Sequence, residues 1–287
     1  MSAAPFENIE NPLDKILANV KELAVLPQVV FKIMESTSNT DTSAGELEKN
    51  IQVDPGFSAK VLKIANSAHY ALPKKVTSIR EAVQFLGFKQ VRQLAINAGV
   101  FDMFAGKNDK ESLRRRSWWR TSLDSAVCCK WMSSHFKQLN SDEGYTVALL
   151  HLIGKTILDK SDSDSYAMVT SASERGIPDY LAERHFFSVD HGLVAEAVCA
   201  KWGLPKELYS AVNYIEPPQE GDSGVMRACL ALSHGIANIA VNGISDEKPI
   251  EELFQPWAIE YLNISSNLRE WVDAGVTNIA NNKHFSG

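Results

Sequence analysis

The sequence is short of the features that mark most specialised chemistries. Its four cysteines, Cys128, Cys129, Cys199 and Cys229, include no C-x-x-C pair. That leaves neither a zinc ribbon nor a disulfide framework, and a reducing compartment is the expectation. No Walker or dinucleotide glycine pattern occurs, so nucleotide binding through those phosphate cradles is unsupported. No apolar run approaches the ~20 residues that a membrane helix needs. The opening MSAAPFENIENPLDK has neither a basic nor an apolar region and is not read as a secretory signal. A soluble cytoplasmic protein with no membrane partner is expected. Positive charge is in deficit: 29 Lys and Arg face 35 Asp and Glu, a formal net charge of -6. Such a balance argues against broad binding to nucleic acid. Period-two strand patterns are missing as well.

Helix starts and stops fill the space instead. At 287 residues, 45% hydrophobic and 22% charged, the chain can build one large or two small domains without covalent staples. Ser43 with Glu46 and Ser78 with Glu81 have the spacing of capping boxes. Asp54-Pro55 opens a helix with a capping carboxylate and a proline whose missing N–H costs nothing there. Phe57, Val61, Ile64 and Ala65 form its apolar stripe, and Ala68 follows one turn on. Gly87 ends the next helix at a left-handed position. Further helices are expected near 91–104, 113–136, 147–158, 164–174, 178–187, 191–202 (closed by Gly203) and 205–214. The break EPPQEGDSG at 216–224 precedes a final helical region, and AGKNDKES at 105–112 reads as a linker. The expected fold is all-α, a two-part helical array.

Three groups of residues invite chemistry. His151 lies in the apolar run VALLHLIGKTIL, and Lys155 four residues on shares its helix face. His185, His191 and His234 are the histidines that could converge with it on a hard, water-activating cation. The competing reading is a core histidine bonded to a backbone carbonyl, which a lone helical histidine favours. Cys128 and Cys129 in SAVCCKWM would need a cationic neighbour or a helix N-terminus to become nucleophiles. Mid-helix they read as small apolar residues. RRRSWWR, from Arg114 to Arg120, interleaves charge with Trp118 and Trp119 and could hold phosphates or single-stranded bases. The overall acidity favours a solvated arginine face there.

Two long stretches carry a resemblance. LPQVVFKIME and DPGFSAKVLKIANSAHYALPKKVTSIREAVQFLGFKQVRQLA resemble the HDOD domain, a bacterial relative of the HD-type metal-dependent hydrolases. The signature residues are Asp54-Pro55, Asn66-Ser67, Ile79 with Ala82, and Leu86-Gly87. SWWRTSLDSA, ALLHLIGKTIL and DHGLVAEAVCAKWGLPKEL extend the likeness over 26–215. The resemblance implies an HD-like second half. It divides the chain into a helical lead-in at 1–25, an HDOD domain at 26–216 with sub-regions near 26–105 and 112–216, and C-terminal helices at 217–287 packed on the HD-like half.

The same alignment places the vestiges of a metal centre. Thr121 stands where HD hydrolases have their first histidine. Their His-Asp pair falls on His151 and Leu152, and a late aspartate falls near Asn238. The extra histidines of HD-GYP phosphodiesterases fall near His191 and around Asn213-Tyr214. Threonine is a poor ligand, leucine is none, and a lost bridging carboxylate removes charge that a hard cation requires. The resemblance therefore implies no catalytic residue, no metal and no cofactor. Asp54, Pro55, Asn66, Ser67, Leu86 and Gly87 are expected to be structural. HDOD domains act as non-catalytic regulatory modules in bacterial signalling, often fused to other signalling domains, and this chain reads as a stand-alone version. The expected partner is a protein in a signalling pathway, with a nucleotide or cyclic dinucleotide as candidate ligand at His151, Lys155 and His191. The alternatives are a degenerate phosphohydrolase or phosphodiesterase and a nucleic-acid-linked regulator using Arg114 to Arg120.

Overall fold

The computed structural model describes residues 11–19, 28–35, 44–67, 70–106, 108–137, 139–244 and 249–282. Ser43 and Ala68, and with them one capping box and the end of one apolar stripe, lie outside the described residues. The described residues are helical, with no strand.

The first part comprises α1 (Pro12–Asn19), α2 (Gln28–Glu35), α3 (Ala44–Gln52), α4 (Pro55–Ala65), α5 (Ile79–Leu86) and α6 (Phe88–Met103). Helices α2 to α5 pack around α6, while α1 reaches across to the second part. Local chemistry explains the boundaries. Asp54 accepts the Phe57 N–H at 3.0 Å, with Pro55 at the first helical position. Asn66 closes α4 by donating to the Leu62 and Val76 carbonyls and accepting the Val76 N–H at 2.8 Å. One amide thus ties the end of α4 to the strand of chain that enters α5. Ser78 accepts the Glu81 N–H at 3.1 Å, and Glu81 reaches back to the Thr77 N–H at 2.8 Å, one residue earlier than a standard box. Gly87 has φ +82° but ψ 157°. That is the extended positive-φ region open only to glycine, not the left-handed helical one expected from the sequence.

The second part comprises α7 (Asp109–Ser133), α8 (Ser141–Leu150), α9 (Ile153–Ser161), α10 (Ser163–Ser173), α11 (Asp179–Phe187), α12 (His191–Lys201) and α13 (Lys206–Val212). After it come α14 (Gly224–Asn242), α15 (Pro256–Tyr261) and α16 (Leu268–Asn281). Helix α7 packs on α8, α14 and α16, and α12 packs on α9 and α13. Asn108 accepts the Glu111 N–H at 3.0 Å and starts α7 well before 113, so the supposed linker shrinks to a short turn. α14 is long and apolar enough to cross a membrane, but 72% of its apolar window is buried in the protein.

Two expectations are corrected. The run 147–158 is not one helix: α8 ends at Leu150 and α9 begins at Ile153, with an elbow at His151-Leu152. The His151 ring donates to the Ala148 carbonyl, the acceptor that a Leu152 N–H would take in an unbroken helix. His151 and Lys155 therefore do not share one helix face. Nor is Arg114 to Arg120 wholly a solvated face: Arg116 and Arg120 are exposed, but Arg114 and Arg115 turn inward. Arg115 is only 1% exposed. It donates to Asp159 at 2.5 Å, to Glu111 at 3.0 Å and to the Ala105 carbonyl at 2.8 Å. Arg114 also pairs with Asp159. Asp159 comes from α9, a helix that no local pattern around 114 could announce.

Candidate functional site

The elbow, two helix termini and the middle of α14 bring four rings together. Gly154, just after the elbow, lets α9 lie against the first turn of α12: any Cβ there would collide with the His191 carbonyl oxygen. His191 opens α12, whose cap Asp190 accepts the Leu193 N–H at 2.9 Å. Tyr214 follows α13, and His234 sits one turn before Asn238 on α14.

The hydrogen bonds form a chain. His151 Nε2 lies 2.9 Å from His234 Nδ1. The Tyr214 hydroxyl lies 2.9 Å from His191 Nε2 and 3.3 Å from His234 Nε2, which also meets the Asn238 amide nitrogen at 3.0 Å. His191 Nδ1 donates to Glu183 at 2.6 Å, and the His191 backbone N–H donates to the same oxygen at 2.8 Å. Tyr166 donates to the other Glu183 oxygen at 2.6 Å. Ring tautomers follow from these partners. The Ala148 carbonyl only accepts, so His151 carries its proton on Nδ1 and accepts at Nε2. His234 then donates from Nδ1 and accepts from Asn238 at Nε2.

Most of these groups are buried, with His234 and Asn238 partly exposed. His151 is fully buried. Burial holds its pKa down to about 3 against the opposing bond to Ala148, and nearby His191 and Lys155 add to the depression. Burial likewise drives His234 well below the ordinary histidine range, helped by His151, Lys155 and His191. Burial lifts the Tyr214 hydroxyl well above the usual range, with Asp179, Glu183 and Asp190 adding to it. Lys155, a candidate for ligand binding, pairs with Asp179, which also bonds Ser173. Burial pushes the Asp179 carboxyl up, but the Lys155 charge and hydrogen bond outweigh it and leave its pKa lowered.

The structure thus joins His151, His191, Tyr214 and Asn238, together with His234. Thr121 is half-buried on α7 and takes no part in this chain, and His185 is exposed, stacked against Phe186. Cys128 and Cys129 are buried, and burial pushes both thiols up to about 12, the reverse of an activated nucleophile. Leu152 is 1% exposed. Glu183, Tyr166 and Asp179 escaped the sequence reading. The one signal was the i,i+4 spacing of Asp179 and Glu183 on α11, which elsewhere marks a solvated face.

These residues do not fit a metal ion. His151 and His234 turn their nitrogens toward each other, Leu152 brings no donor, and Lys155 takes the Asp179 carboxylate. Among the described residues no three His, Cys, Asp or Glu side chains are disposed to hold an ion.

The HDOD domain family matches residues 23–218, and the chain belongs to that family. Solved structures share the fold. An HDOD domain protein of unknown function from Geobacter sulfurreducens superposes with TM-score 0.69 at 20% identity, covering 96% of this chain and 98% of that one. A candidate phosphohydrolase from Shewanella amazonensis SB2B gives 0.68 at 21%, covering 94% and 97%. A candidate signal transduction protein from Marinobacter aquaeolei VT8 gives 0.66 at 18%, covering 94% and 67%. An uncharacterized protein of Treponema pallidum (strain Nichols) is 21% identical over 243 residues, 83% of this chain. The chain spans 46% of that relative's length.

Proposed function

We propose that this chain is a regulatory module of bacterial signalling that works in the cytoplasm by contacting another protein, not by hydrolysis. The observation that carries the proposal is the bond between His151 and His234. In an HD-type centre the His151 nitrogen would face an ion, and here it meets His234 instead. Leu152 contributes apolar packing worth roughly 2 kcal/mol where a bridging carboxylate would be needed. The description of the Marinobacter neighbour as a candidate signalling protein points the same way. A nucleotide or cyclic dinucleotide at His151, Lys155 and His191 is the weaker form of this idea. Each of those side chains already has a hydrogen-bond partner, and a ligand would have to displace it at the cost of an unsatisfied group.

The test is an assay of bis(p-nitrophenyl) phosphate and cyclic dinucleotides with added Mn²⁺, Fe²⁺ or Mg²⁺. No turnover above the metal-only rate is expected. Metal-dependent turnover that vanishes in His151→Ala and His191→Ala would overturn the proposal and make the chain a degenerate phosphohydrolase.

A further inference from the structure

The cations of this acidic chain are unevenly spread. Residues 60–92 hold seven Lys or Arg and a single acidic residue, Glu81, a net +6 in a chain of net -6. They fall on α4, the segment after it, α5 and the start of α6, elements that pack on one another. Arg115 turns into the protein, whereas Lys60, Lys63, Lys74, Lys75, Arg80 and Lys89 are exposed.

Four carboxylates answer these charges. Lys60 pairs with Asp102, Lys74 with Glu81 at 3.0 Å, Arg80 with Glu48 at 3.1 Å and Arg92 with Asp142 at 3.0 Å. Lys63, Lys75 and Lys89 enter no salt bridge among the described residues; Lys89 adds only a longer-range pull on Asp142. Arg92–Asp142 is largely buried, but the Lys60 and Lys74 pairs and Arg80 are exposed and hold their partners weakly, so the face keeps a positive field. It also shows an apolar ring: Phe85 is 42% exposed, with Lys74 Nζ 5.6 Å from its centroid.

Charge complementarity calls for an acidic occupant, and two features select its class. A nucleic acid extends its phosphates past any short patch, and the rest of this chain is acidic enough to repel them within the Debye length of ~8 Å. Single-stranded bases stack on successive aromatic rings, and among the described residues of 60–92 Phe85 is the one exposed large aromatic. A short acidic protein segment covers the patch alone and can set an apolar side chain against the ring. We propose that this face, with Lys63, Lys75 and Lys89 as its free charges and Phe85 as its apolar contact, docks an acidic segment of a protein partner. The proposal rests on the protein-contact reading above and names its surface.

The probe is a fluorescein-labelled peptide of repeated Glu-Glu-Leu-Glu, titrated by anisotropy against the full chain at low and physiological salt. A single-stranded oligothymidylate of equal length runs in parallel. The peptide is expected to bind in a salt-sensitive way and to weaken about tenfold or more in the triple variant Lys63→Glu, Lys75→Glu, Lys89→Glu. The triple Lys→Arg variant keeps the charge and should keep the binding. Melting curves check that both variants fold, as exposed, unbridged positions should allow. Absent peptide binding, or binding indifferent to the charge reversal, overturns the proposal. So does tighter binding of the oligothymidylate, which would assign the face to nucleic acid. Salt-sensitive self-association in sedimentation, lost in the Glu variant, would overturn it in favour of a second copy. None of these outcomes creates hydrolysis, so the regulatory reading stands or falls on its own assay.

Discussion

Two buried polar clusters lie in the second part of the molecule, and they are built on opposite principles. Around Arg115 and Asp159 full charges meet in a space with almost no water. Around His151 and His234 the groups are neutral rings passing hydrogen bonds along a line. The charged knot draws strength from short, low-dielectric contacts and bears a large desolvation cost. The neutral chain costs less to bury and is correspondingly less punishing to interrupt. The ring cluster meets charge only at its edges, through Glu183 and the Lys155–Asp179 pair, whereas the cluster that looked like a surface patch in the sequence holds charges at its centre.

Breaking the knot should be the most damaging change. Arg115→Ala leaves the Asp159 and Glu111 carboxylates short of a partner, and a loss of about 3–5 kcal/mol is expected in urea unfolding. A loss below about 1 kcal/mol would mean that Arg114 alone neutralises Asp159. Leu152→Asp carries charge into the neutral cluster, and a cost of about 3 kcal/mol is expected from thermal melts. If added Mn²⁺ restores the lost stability, the neutral chain is one carboxylate short of an ion site and the contrast narrows.

The smallest effect should be His151→Gln, which removes one ring from the line and costs about 1–3 kcal/mol at neutral pH. Its pH dependence is the sharper readout. The folded His151 pKa is about 3 against an ordinary 6.5, so the unfolded chain binds the proton more readily. Stability linked to this group is full above about pH 6.5 and is lost as pH falls toward about 3. The variant should therefore decline less steeply across that window than the parent. Equal slopes would show that His234 alone sets the acid response.

Much of the fold was legible because its signals are local. Asp54, Ser78 and Gly203 mark helix ends within four residues of the groups they serve. The likeness to HD proteins brought His151, His191, Asn238 and the neighbourhood of Tyr214 to one place. The elbow at His151-Leu152 was not legible, since the apolar pattern runs through it and no proline marks it. The burial of Arg115 escaped for a different reason: its partner Asp159 lies 44 residues away. Glu183 escaped because a carboxylate on a short helix ordinarily reads as solvated. Long-range partners decide such cases, and a single sequence carries no trace of them.

The imidazole line has a further consequence, for disorder. A row of hydrogen bonds that can each point either way keeps a choice of proton direction, as ice does, and that choice is entropy. Here the Ala148 carbonyl at one end can only accept, and the Asn238 amide nitrogen at the other can only donate. Every neutral proton between them is thereby oriented, with His151 and His234 both protonated at Nδ1. The line has one ground arrangement and no residual disorder, like a row of compass needles pinned at both ends.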